Sequence, residues 1–144
     1  MSKVSIVYWS GTGNTEAMAA AMAEGAKDAG AEVELLTVDK AEAAAISEAK
    51  AFALGCPAMG AEELEEGEME PFMAELDSQI AGKTIALFGS YGWGGGEWMR
   101  DWESRVVSDG AAVLSGEGII ADNAPDDDVL AECRAAGAKL AALV

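Results

Sequence analysis

The chain of 144 residues carries 26 acidic and 9 basic side chains, no histidine, and a formal net charge of −17 at pH 7, with 51% hydrophobic residues. Such an excess of negative charge excludes nucleic acid as a partner, because phosphates need neutralising cations. The missing imidazole removes serine–histidine and cysteine–histidine catalysis and histidine metal sites together. The length suits a single domain over residues 1–144 with one sizeable core, and no apolar run approaches the roughly 18 residues that suggest a membrane span.

The first expected strand covers residues 4–9, and Lys3 leads straight into it with no basic segment, apolar region and cleavage pattern. No signal peptide is expected and the cytoplasm is the expected location. The stretch Ser10-Gly11-Thr12-Gly13-Asn14-Thr15 follows, then a helix over 15–29 with Met18, Met22 and Ala26 on one face and Gly30 as its C-terminal cap. A second strand at 32–38 precedes a weakly amphipathic, alanine-rich helix at 41–49. The third strand, 51–55, runs into GCPAMGAEELEE (55–66), and the next helix carries Met69, Phe72, Met73, Leu76 and Ile80 and ends at Gly82. The fourth strand, 84–89, runs into GSYGWGGGEWM (89–99) and a helix with Trp98, Trp102 and Val106 at four-residue spacing. A fifth strand at 112–121 and a helix from about Asp126 onward complete the pattern. On that last helix Cys133 shares an apolar stripe with Val129, Ala136 and Leu140, so it is expected to be buried as a small hydrophobe, unpaired with Cys56.

Strands alternating with helices in this way predict a doubly wound parallel sheet covered on both faces, with two strand orders open. In either, ligands sit beyond the carboxyl ends of the strands, which here means the segments after strands one, three and four.

The first of those segments lacks the lysine and spacing of a triphosphate-binding loop, and Glu16 stands where a dinucleotide loop needs its third glycine. What remains is a nest of hydroxyls, one amide side chain and backbone N–H groups at a helix start. That suits one terminal phosphate held by neutral donors, or else a turn that only caps the helix. The other two segments bring Met59, Tyr91, Trp93 and Trp98 to the same edge. Large apolar side chains in loops either close the core or hold a flat ligand. Trp98, on a helical stripe, belongs to the core; Trp93, isolated among glycines, is expected to be exposed. Together these features imply an aromatic ring on a phosphorylated tail.

SGTGNT, then GCPAMGAEELEE, then GSYGWGGGEWM, in that order and across essentially the whole chain, resemble the short-chain flavodoxins of anaerobic bacteria. The resemblance implies a flavodoxin-like α/β fold, a five-stranded parallel sheet in the order 2-1-3-4-5 with helices on both faces. It also implies non-covalently bound FMN and a low-potential one-electron carrier cycling mainly between semiquinone and hydroquinone, not an enzyme.

Residue by residue, the resemblance assigns the FMN phosphate to Ser10, Gly11, Thr12, Gly13, Asn14 and Thr15, with Trp9 donating its indole N–H. Met59 would cover the inner face of the flavin ring and Trp93 the outer face. Glu62 would accept from flavin N3–H, and backbone groups of Ala58 to Ala61 and of Ser90, Tyr91 and Gly92 would meet the ring edge and ribityl chain. In the turn Met59-Gly60-Ala61-Glu62, Gly60 suits the positive φ that a type II′ turn needs at its first central residue. Glu62, Glu63, Glu65 and Glu66 would disfavour an anionic flavin by charge repulsion in a partly desolvated site. The implied partners are basic-surfaced redox proteins, reductases and ferredoxin-dependent oxidoreductases, met by a monomer without membrane attachment. An FMN-dependent NAD(P)H reductase on the same fold is the alternative. A response regulator does not match, because Tyr8-Trp9-Ser10 and Asp122-Asn123 stand where it needs an acidic pair and a lysine.

Overall fold

The computed structural model describes residues 3–59, 63–92 and 94–144. Six strands form the sheet: β1 (Lys3–Tyr8), β2 (Glu32–Thr37), β3 (Ala51–Gly55), β4 (Thr84–Tyr91), β5 (Ala112–Val113) and β6 (Ile119–Asp122). The helices are α1 (Asn14–Asp28), α2 (Ala43–Ile46), α3 (Met69–Leu76), α4 (Glu97–Ser108) and α5 (Asp127–Leu143). The pairings between these six strands are parallel, and the strand order β2-β1-β3-β4-β5 is the expected 2-1-3-4-5.

The fifth strand differs from expectation. Instead of one run over 112–121, β5 and β6 are separate pieces that both pair with β4. Between them Leu114–Gly116 form a 3₁₀ turn, with Ser115 at φ 63° and Gly116 at φ 87°, outside any strand conformation. The chain returns to the sheet through Gly118, where a Cβ would sit 2.3 Å from Met99 Sδ. The alanine-rich segment at 41–49 also shrinks, to the single turn of α2 preceded by a 3₁₀ turn at Val38–Lys40. Only Ala43 and Ile46 of that turn are buried, too little packing to hold a longer helix, which water alone does not support.

Strand alternation divides the core into two layers. Val7, Phe52, Leu54, Ile85 and Leu87 face α3 and α4, packing on Met69, Phe72, Met73, Leu76, Trp98, Met99, Trp102 and Val106. Val4, Ile6, Tyr8, Ala51, Ala53, Ala86 and Phe88 face α1 and α5, with Cys133 buried among them as expected. Among the described residues, no helix is long and apolar enough to cross a membrane.

Backbone bonds continue past the carboxyl ends of the strands and bring the loops together. Trp9 N–H donates to Gly55 O and Cys56 N–H to Phe88 O, each at 3.0 Å. Ala58 N–H donates to Ser90 O at 3.0 Å, and Asn123 N–H to Tyr91 O at 2.7 Å. Four chain segments therefore meet at one edge of the sheet.

Candidate cofactor-binding site

Ser10 shapes the first loop. Its Oγ accepts the N–H groups of Gly13 and Glu16, each at 3.2 Å, while Gly13 turns the chain into α1 at φ 95°. Those bonds satisfy two donors of the helix start. The N–H groups of Asn14 and Thr15, in the first turn, have no carbonyl within the helix to donate to and lie at the positive end of its dipole. Gly11 and Thr12 are exposed beside them. The segment is a nest for a small anion.

Thr15 holds the nest to β4. It is 1% exposed, its Oγ1 lies 3.4 Å from Ser90 Oγ, and it accepts Ser90 N–H at 3.4 Å. Both hydroxyls, on residues expected to meet the cofactor, face each other. On the other side Tyr8 donates its hydroxyl to Glu16 Oε2 at 3.2 Å, and burial, reinforced by that carboxylate, pushes the phenol's pKa up.

A cavity of about 260 Å³ opens at this edge, lined by Trp9, Gly11, Thr12, Asn14, Pro57, Ala58, Met59, Ser90, Tyr91, Gly92 and Asn123. Nine of these were expected from the sequence; Pro57 and Asn123 were not. Asn123 takes φ 60°, a left-handed conformation that asparagine tolerates well, and this turns the chain into the cavity wall just past β6. The only sequence signal was its place after the last strand. Ser10, Gly13 and Thr15 stand behind the lining and shape it. Gly60, Ala61, Glu62 and Trp93, with the turn expected at 59–62, lie outside the described residues; on either side of them Met59 and Glu63 exchange backbone hydrogen bonds of 2.9 and 3.0 Å.

The Trp9 ring lines the cavity, and its Nε1 donates to Glu68 Oε1 at 3.2 Å, a carboxylate at the start of α3. Trp98 is core, as expected, with Nε1 donating to Cys56 O at 3.0 Å and its ring centroid 5.7 Å from that of Tyr91.

The described members of the acidic set expected beside the cofactor, Glu63, Glu65 and Glu66, divide into two groups. Glu65, expected beside the cofactor, turns back to accept the N–H groups of Gly67, Glu68 and Met69 at 2.7 to 3.1 Å, capping α3. Burial pushes its carboxyl up, but the three donors outweigh burial and hold its pKa below the usual value. Glu63 and Glu66 line a separate groove of about 430 Å³ with Leu64, Glu70, Trp98, Asp101, Trp102 and Arg105.

The cavity fits a phosphorylated flat ring such as FMN. One end offers neutral donors at a helix start, the other an apolar slot between Ala58–Met59 and Tyr91–Gly92, and no basic side chain is among the described lining residues. Bound there, the flavin would supply the redox chemistry, while the protein binds and orients it. Burial pushes both Cys56 and Cys133 up to about 12, so neither is a thiolate nucleophile at neutral pH. Among the described residues no cluster of three potential ligands could hold a metal.

The family model for flavodoxin matches residues 6–137. A flavodoxin from Megasphaera elsdenii is 47% identical over 135 residues, covering 92% of this chain and 98% of that protein. One from Clostridium beijerinckii is 48% identical over 122 residues, covering 85% and 88%. In solved structures, the two-electron reduced Megasphaera elsdenii flavodoxin superposes with a TM-score of 0.86 at 46% identity, covering 94% of this chain and 98% of that one. Matched by the family model over most of its length, and by these relatives in sequence and in fold, the chain belongs to the flavodoxin family of FMN-binding electron carriers, which are not enzymes.

Proposed function

We propose that the chain works as one domain and as a low-potential one-electron carrier, with the FMN phosphate in the nest at 10–15 and the ring in the slot between Ala58–Met59 and Tyr91–Gly92. The observation that carries this is the two-ended cavity, polar and uncharged at the start of α1 and apolar where the β3 and β4 loops meet. Gly11, Thr12 and Asn14 line the phosphate end, with Ser10, Gly13 and Thr15 holding its shape; Pro57 and Asn123 join the wall. Gly60, Ala61, Glu62 and Trp93 keep the ring contacts that the family resemblance assigns them.

A low potential follows from charge. Each electron added to a flavin here enters a site without a neighbouring cation among its described lining residues, in a chain of net charge −17, and negative charge in a partly desolvated site is disfavoured. The same charge favours redox partners with basic docking faces, reductases and ferredoxin-dependent oxidoreductases, meeting a monomer in the cytoplasm.

Stepwise anaerobic reduction followed by visible absorption tests the reading. A yellow protein that passes through a stable blue one-electron-reduced form before bleaching supports the carrier. Bleaching in a single two-electron step, with steady oxidation of NADH by the isolated protein, overturns it in favour of the reductase.

A further inference from the structure

The backbone of Trp9 is pinned to β3 by its N–H bond to Gly55 O, which leaves the direction of the indole to be set by what its ring and Nε1 touch. The ring lies against the nest: a Cβ on Gly11 would meet Cη2 and Cζ3 at 3.1 and 3.2 Å, so a glycine there makes room for it. Nε1 is held by Glu68, 59 residues away in sequence. The backbone of Glu68 is held in turn, its N–H donating to Glu65 Oε1 at 2.7 Å and the N–H of Glu65 to Cys56 Sγ at 3.4 Å, while its exposed side chain reaches over to Trp9. The chain Cys56, Glu65, Glu68, Trp9 ties the wall supplied by the β3 loop to the wall supplied by the β1 loop.

We infer that Glu68 is a positioning residue for the cofactor: by accepting the Trp9 indole N–H it holds that ring against the phosphate nest and so preforms the cavity wall. An unheld tryptophan would lose rotamer freedom only on binding, and a wall ordered beforehand spares that loss. The carboxylate is a like charge near the phosphate end, so electrostatics alone predicts the opposite effect of removing it. That opposition makes the inference testable. It rests on the FMN site above.

Full-length protein stripped of FMN is titrated with FMN, following flavin fluorescence. Glu68→Ala is expected to weaken binding roughly 3- to 10-fold, the scale of one net hydrogen bond. Glu68→Gln, which keeps an acceptor oxygen and removes the charge, is expected to bind like wild type. Trp9→Phe, which keeps a ring and removes the donor, is expected to show a loss similar to that of Glu68→Ala, and adding Glu68→Ala to it should weaken binding no further. The glutamine and phenylalanine variants carry the test if the alanine variant does not fold. Unchanged or tighter binding by Glu68→Ala, a glutamine variant as weak as the alanine one, unchanged binding by Trp9→Phe, or an undiminished Glu68→Ala loss in the Trp9→Phe background each overturns the inference. Wild-type protein that takes up no FMN overturns the cofactor site as well, whereas wild-type binding with an indifferent Glu68→Ala overturns the positioning role alone.

Discussion

Asp109 follows α4 with its Oδ2 buried and its carboxyl against that of Asp77. Beside it Asp77, which follows α3, is held by Arg105 through Nε to Oδ1 at 3.1 Å and Nη2 to Oδ2 at 2.8 Å, while Arg105 Nη1 reaches Glu70 Oε1 at 2.8 Å. Burial, followed by the nearby Asp77, pushes Asp109 up to about 6, against the pull of Arg105. For Asp77 burial works upward too, but the guanidinium outweighs it and its pKa is lowered. The signs are opposite. The stabilising contribution of a raised carboxyl is complete below the ordinary value of 3.8 and is lost as pH rises through about 6; that of Asp77 is present above 3.8 and is lost as pH falls through its lowered value. Asp109→Asn, which imitates the protonated form, should therefore raise Tm more at pH 7.5 than at pH 5, the gain at pH 5 being already partial because the unfolded carboxyl, with its ordinary value of 3.8, is ionised there. Melting curves of both proteins at the two pH values check this; an equal difference at both would mean that Asp109 does not titrate between them.

At the scale of elements, α1 and α5 approach closely where each carries a glycine. A Cβ on Gly25 would sit 1.9 Å from Arg134 O, and one on Gly137 would sit 2.0 Å from Met22 O. Glycine within a helix costs about 1 kcal/mol relative to alanine, so both helices give up propensity for contact with Ala19, Ala23, Ala26 and Ala136 in the shared core layer. Gly137→Ala should reverse the usual benefit of alanine in a helix. It pushes the two backbones apart and should destabilise by about 1–3 kcal/mol, a Tm lower by several degrees. Calorimetry of the variant decides; a raised Tm would mean the crossing relaxes freely. Because α1 also presents the loop at 10–15 at its N-terminus, this crossing sets the position of that loop relative to the sheet.

Across the whole molecule, charge is the dominant property. Exposed Glu63, Glu66 and Asp101 line the groove beside the cavity, with Arg105 already engaged by Glu70 and Asp77. Association with a basic redox protein should be fast at low salt and slow by about tenfold or more as ionic strength rises from roughly 10 mM to 0.3 M, where the Debye length falls below the span of the patch. Stopped-flow electron transfer measures this directly. Changing Glu63 and Glu66 together to glutamine should lower the association rate and flatten its salt dependence, with the dissociation rate less affected. A salt-independent rate would show that gating or reorganisation, rather than encounter, sets the speed.

The sequence by itself determined what depends on local pattern and composition. Strand and helix alternation reports burial on each face, glycine and hydroxyl residues between a strand and a helix report an open helix start, and the lack of histidine limits the chemistry. The doubly wound parallel sheet and the three loops at its carboxyl edge were legible for that reason, whereas the strand order and the individual cavity residues came from the family resemblance that the loop motifs carry. Tertiary structure alone decided the break of the last strand at Ser115 and Gly116, because a left-handed serine leaves no periodic mark. It also brought Pro57 and Asn123 into the wall and turned Glu65 into a helix cap. The bond from Trp9 to Glu68 is the plainest case. Two residues 59 apart meet only after β1, β3 and α3 have packed, and no local pattern encodes which acceptor a given N–H will find.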